Sequence, residues 1–352
     1  MVALRPIAIL LVPLALATGA SAQVSPTPPP ARAPASDQGA AKRDTKAHAV
    51  VKKPAAESKP AATPSTANSV PTGEDPRVDL VYGAYQRGEY RTARDLAVPR
   101  AQAGDPKAMT MLGELYSNAL GVKLDEAKAV EWYRRASDAG DREAMFALAM
   151  MRIAGRGGPA DRQEAVRLLA SSAKLGEPKA AYNLALLYLD GQTLPQDLKR
   201  SAELLRMAAD AGNSEAQYAL ATFYKEGTGV EKDLEKAARL LQAASLAGNV
   251  DAEVEYAIAL FNGTGTPKNQ PAAVALLRKA ARQNSAIAQN RLARVLVTGQ
   301  GAPLDRIEGL KWHLIAKTAG RGDLFLDEVF AQLSAEDRAK IEAAARRWLG
   351  AK

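Results

Sequence analysis

The sequence predicts an all-α protein, a solenoid of tandem 36-residue helix–turn–helix repeats. Three observations carry that reading. A glycine recurs at Gly104, Gly140, Gly176, Gly212 and Gly248, then as Asn284, then as Gly320, every step being 36 residues. Four residues after each of the first six stands an alanine: Ala108, Ala144, Ala180, Ala216, Ala252 and Ala288. Apolar residues between these marks recur at steps of four, the spacing that lines one face of a helix. A period this regular marks a repeat array and is read before any local motif.

In chain order, residues 1–22 read as a secretory signal peptide. Arg5 is the charged start, Ile7 to Ala17 a short apolar stretch, and Ala20-Ser21-Ala22 a small-residue cleavage site before Gln23. The stretch is too short to cross a bilayer, which takes about 20 apolar residues, and no later stretch qualifies as transmembrane. Residues 23–73 hold nine prolines and seven Lys/Arg against three Asp/Glu, with almost no large apolar side chain. Such a segment cannot offset its ordering entropy and is expected to be a disordered linker. As a flexible coil it reaches roughly 40 Å. We read it as a spacer after the signal; the alternative is a tether or wall-crossing arm.

The helical part is expected over 74–352: a first helical unit at 74–103, six repeats at 104–320 and capping helices at 321–352. Counting from the repeated glycine as zero, position +1 is Asp105, Asp141, Glu177, Asn213, Asn249 and Ser285. Most are N-capping types, and Pro106 and Pro178 follow in the first turn, where a missing N–H costs nothing. The alanine at +4 implies two backbones in close approach. Leu112, Leu148, Leu184, Leu220, Tyr256 and Leu292 follow at +8, with Tyr116, Arg152, Tyr188, Tyr224, Leu260 and Leu296 at +12. Glycines at +15 and +17 end the helix. Position +21 supplies the second cap (Asp125, Asp161, Asp197, Asp233, Asn269, Asp305), with Glu164 and Glu308 expected to complete reciprocal capping boxes. The second-helix core is assigned to Trp132, Leu168, Leu204, Leu240, Leu276 and Trp312, and His313 to the core edge. Ser334 is expected to cap a last helix bearing Ile341, Ala345 and Trp348 on one face.

Composition excludes much chemistry. The chain has no cysteine and only His48 and His313, so there is no disulfide framework, thiolate nucleophile or cysteine metal site. No catalytic residues, cofactor or metal site are assigned, and no nucleic-acid partner. The net charge of +8 resides largely in the N-terminal segments, since residues 74–352 carry 39 basic and 36 acidic residues. The basic charge of the linker is read as solvating a disordered tail, with weak contact to anionic surfaces as the alternative. The aspartates at +21 are not an ion site, because units stack about 10 Å apart and successive caps cannot share a metal. The pairs Gly227-Thr228-Gly229 and Gly263-Thr264-Gly265 lack the strand–helix context of a phosphate loop and are read as turns.

The run Gly121-Val122-Lys123-Leu124-Asp125-Glu126-Ala127-Lys128-Ala129-Val130-Glu131-Trp132-Tyr133, continuing to Gly140, Ala144 and Leu148, resembles the SEL-one-like repeat family, relatives of the tetratricopeptide repeat. Gly227 to Asp233 matches equally well, and the likeness covers about residues 76–320. The resemblance implies a right-handed α/α superhelix with a concave groove and scaffold or adaptor work.

On a first helix, at about 100° per residue, the packing positions +4, +8, +9 and +12 fall between about 40° and 180°. Positions +3, +6, +10, +13 and +14 fall opposite, between about 220° and 320°, yet are not uniformly polar. They supply Phe146, Met150, Ile153, Tyr182, Leu186, Leu189, Tyr218, Ile258 and Phe261, with Lys225 among polar companions that include Glu215 and Glu226. By resemblance these line the concave face, as a groove for a peptide. The bland alternative is that they pack on neighbouring helices and close the solenoid. The sequence thus predicts a non-enzymatic, exported, periplasmic or secreted scaffold that binds a protein or peptide of the cell envelope. The alternative is a protein that binds or processes envelope glycan or cell-wall material, as a hydrolase would.

Overall fold

The computed structural model describes residues 79–350. The expected signal peptide and linker lie outside the described residues, as do the first residues of the 74–103 unit. Among the described residues there are sixteen α-helices and no strand. The first unit is α1 (Leu80–Gln86) and α2 (Tyr90–Gln102). Six pairs follow: α3 (Pro106–Ser117) and α4 (Glu126–Asp138), α5 (Arg142–Ala154) and α6 (Arg162–Lys174), α7 (Pro178–Asp190) and α8 (Leu198–Asp210). Then come α9 (Ser214–Glu226) and α10 (Leu234–Leu246), α11 (Val250–Asn262) and α12 (Gln270–Arg282), α13 (Ala286–Thr298) and α14 (Arg306–Thr318). The end is formed by α15 (Leu324–Ala331) and α16 (Ala335–Gly350). Up to α14 each helix packs on its predecessor and successor, the nearest-neighbour pattern of a solenoid, and α16 returns onto α14.

The caps start the helices as expected. Asp141, Asn213 and Asn249 each accept the backbone N–H three residues on, as do Asp125, Asp197 and Asp233 at the second helices. The reciprocal half of the two capping boxes is not made. The N–H of Asp161 goes to the Arg152 carbonyl and that of Asp305 to Leu296, each at 2.9 Å. The same bond runs from Asp125, Asp197, Asp233 and Asn269 to the carbonyl at +12. The cap donor is therefore already satisfied, and the glutamates are free to bridge units instead. Glu164 takes Arg134 at 2.8 Å and Arg152 at 2.7 Å, and Glu308 takes Arg278 at 2.8 Å.

Every alanine at +4 is buried, none above 2% exposure, which is the close backbone approach its size implied. Leu204 and Trp312 are buried as assigned, but in the other four units the second-helix core lies deepest one residue later. Trp132, Leu168, Leu240 and Leu276 are only half-buried, whereas the neighbouring Tyr133, Leu169, Leu205, Leu241 and Leu277 are buried. The two positions lie about 100° apart around the helix axis, so a one-residue step turns the side chain from the half-buried to the deep side. His313 belongs to this deep row and is fully buried, so it is a core residue.

The two glycine rows do different work. Those at +15, such as Gly227 and Gly263, are left-handed C-caps. Those at +17 are also left-handed, and there a side chain would in addition collide with the preceding unit. A Cβ on Gly229 would strike the carbonyl of Leu198, and one on Gly265 that of Leu234. At the C-terminal end Asp337 donates its N–H to Ser334 at 3.1 Å, the expected cap. Ile341 and Ala345 are buried there, and Trp348 meets Trp312 edge-on with centroids 5.0 Å apart.

Candidate functional site

The first helices of consecutive units touch along one face. Thr110 Oγ1 donates to Asp141 at 3.1 Å, Lys107 Nζ reaches Asp141 at 2.9 Å, and Lys225 Nζ reaches Glu255 at 2.9 Å. Near the C-terminal end Arg294 pairs with Asp323 in the same way. These contacts set +3 and +6 against the next unit at the first boundary, +13 at a middle one and +10 at the last, and the helix face they mark is the first-helix strip.

On that strip the predicted apolar residues are neither fully buried nor fully wet. Phe146, Met150, Ile153, Tyr182, Leu186, Leu189, Tyr218, Ile258 and Phe261 are all half-buried. Phe146, Ile153, Tyr182, Leu189 and Tyr218 pack against one continuous core that runs through α5 to α11. Ile258 and Phe261 pack against the following core segment. Lys225 is exposed and bridges to the next unit. Packing on neighbours and leaving a surface therefore occur together: the inner part of each side chain closes the solenoid and the outer part stays open.

The electrostatics of the strip are acidic at its middle. Burial first, and then the carboxylates of Glu255, Asp251 and Glu226, push the Tyr218 phenol up to about 12. Burial and Glu215 raise Tyr182 in the same direction. Asp251 and Glu255 were absent from the predicted companions. Glu255 stands at +7, near 340°, just past the arc taken as the open face. Asp251 stands at +3, inside that arc, and its sign alone was a readable signal.

Other titratable groups serve the frame. His313 Nε2 meets Asp327 at 2.9 Å, and Lys317 reaches the same carboxylate at 2.6 Å. Both partners hold Asp327 below the usual carboxylate range, Lys317 contributing most. Glu253 is fully buried between Lys279 and Gln283, tying α11 to α12. Among the described residues no group of three metal-ligating side chains is gathered, and no helix is long and apolar enough to cross a membrane.

Equal helix pairs stacked in one register, with a shared first-helix strip, define a tandem helical-repeat scaffold. Six consecutive segments, residues 106–141, 142–177, 178–213, 214–249, 250–285 and 286–320, match the Sel1 repeat. Together they span well over half the chain, which belongs to the Sel1 repeat family. Among solved structures it is similar to a Sel1 repeat protein from Oxalobacter formigenes. The identity is 25%, over 67% of this chain and 94% of that one, with a TM-score of 0.58. It is also similar to c5321, a protective antigen of uropathogenic Escherichia coli strains with an SLR fold. That likeness has 25% identity over 76% of this chain and 67% of that one, with a TM-score of 0.52. No curated protein gave a match. Sel1 repeat proteins generally mediate protein–protein interaction.

Proposed function

We propose that this chain is a non-enzymatic adaptor or regulator of the bacterial cell envelope, acting in the periplasm. It holds a peptide segment of an envelope protein against the first-helix strip. One observation carries the reading: Phe146, Tyr182 and Tyr218 stand at the same position of three consecutive units, each half-buried and packed on the core. Aromatic side chains fixed in this way give binding energy at low entropic cost, because their rotamers are already held. The carboxylates of Glu215, Glu226, Asp251 and Glu255 flank two of them. The complementary partner segment carries apolar anchors with Lys or Arg beside them. The signal-like residues 1–22 support export.

The experiment is in-cell photo-crosslinking from position 186 of the same strip, replaced by a photoreactive phenylalanine analogue, in the wild-type background and in the double variant Tyr182→Ala/Tyr218→Ala. A discrete envelope protein should be captured, its crosslinked segment should be apolar and basic, and the folded double variant should lose it. Capture unchanged in that variant, judged folded by circular dichroism, would remove the reading. Turnover of muropeptides that a single carboxylate substitution abolishes would replace it with an enzymatic one.

A further inference from the structure

Position +30 of one unit and +24 of the next pair across two of the unit boundaries. Arg134 meets Glu164 there at 2.8 Å, and Arg278 meets Glu308 at 2.8 Å. At the boundary between the third and fourth units the same two positions are Arg206 and Lys236, two cations where these two boundaries hold an ion pair; the remaining boundaries have Ala170 with Arg200 and Gln242 with Ala272. Arg206 donates instead to the neutral hydroxyl of Tyr224 at 3.0 Å, and among the described residues no carboxylate pairs with it. Lys236 lies over the face of the same tyrosine, 5.4 Å from the ring centroid.

Beside this pair is a cavity of about 420 Å³, walled by Arg206, Tyr224, Lys232, Asp233 and Lys236 with Val230 and Glu231. Asp233 offsets Lys236, pairing with it at 2.9 Å while its other oxygen caps α10, and Glu231 is a second carboxylate of the wall; Arg206 is left without a carboxylate partner among the described residues. Lys232 adds a further positive charge from the loop. None of these side chains belongs to the first-helix strip.

We propose that this cavity is a binding site for the carboxylate or phosphate group of a small anionic molecule. The ligand's oxygens take the place that Glu164 and Glu308 fill at two other boundaries. Arg206 then donates to it in the fork geometry suited to either anion, while Lys236 supplies a point charge and Tyr224 positions the guanidinium. The site is independent of the peptide strip, so a small anion and a protein partner can be held together.

The test measures binding of inorganic phosphate and of citrate by calorimetry, at constant ionic strength with chloride as the reference. Wild-type protein should bind at least one of them, and the arm that responds states the headgroup. Arg206→Gln should weaken that binding by about tenfold or more, the loss of one charge-assisted contact. Lys236→Glu installs the pair that two other boundaries already accommodate. It should melt higher than wild type in chloride and lose anion binding altogether. Binding that survives in Lys236→Glu, or phosphate and citrate that act no differently from chloride, would overturn the assignment.

Discussion

Tyr133 lies flat against the space where Gly113 has no side chain: a Cβ there would stand 2.6 Å from both Cδ1 and Cε1 of the ring. Every other unit places alanine at the Gly113 position, and most place leucine at that of Tyr133. The first repeat has exchanged a methyl on one helix for a larger side chain on its partner. The phenol ends between Glu114 at 3.1 Å and Ser117 at 3.4 Å, and burial and Glu114 raise its pKa.

That exchange predicts a non-additive pair. Gly113→Ala alone overpacks the contact and should cost about 1–3 kcal/mol. Adding Tyr133→Leu restores the pattern of the other units, and the double variant should be more stable than the sum of the singles by about 1 kcal/mol or more. Denaturant melts of the four proteins decide it, and additive costs would mean that the ring has room to move aside.

The two glycine rows should respond differently to alanine. Gly227 and Gly229 both have positive φ, but a Cβ on Gly227 meets its nearest atom at 3.5 Å while one on Gly229 meets the backbone of Leu198. Gly227→Ala should cost about 1 kcal/mol, the left-handed penalty alone. Gly229→Ala should cost at least about 2 kcal/mol more, because a backbone in the preceding unit must shift. Equal losses in thermal denaturation would show that the units are not held at this distance.

Ala119 occupies the +15 place with φ of 56°, where the later units have glycine. Ala119→Gly relieves that conformation and should stabilise the protein by about 0.5–1 kcal/mol after glycine's extra chain entropy is subtracted. A melting temperature at or below that of wild type would argue against strain at this turn.

Tyr218 should titrate late. Its folded pKa of about 12 exceeds the ordinary value of 10, so the folded state holds the phenolic proton more tightly than the unfolded chain. The stability this contributes is complete below pH 10 and is lost as pH rises through 12. Ultraviolet titration of wild type against Tyr218→Phe should isolate a component ionising near pH 12. A component near pH 10 would mean that the ring is solvated and that Asp251 and Glu255 do not act on it.

Much of the fold was readable because repetition averages out local ambiguity: Asp141, Asn213 and Asn249 recur in register, and their capping role needs only their own helix. The residue-level packing was less readable. Whether Trp132 or Tyr133 forms the deep row depends on a rotation of one residue about the helix axis, which a step-of-four pattern does not fix. The bridging role of Glu164 depended on a carbonyl at Arg152 that reaches the cap donor first.

The sequence by itself determined the helices, their ends, the 36-residue unit and the family, since caps, turns and apolar period are encoded within a few residues of each other. Only the tertiary structure decided which face is deep, why the +17 glycines are needed and that Arg206 and Lys236 converge on Tyr224. Those properties arise between residues some 30 positions apart, in contacts that exist only once one unit is stacked against the next.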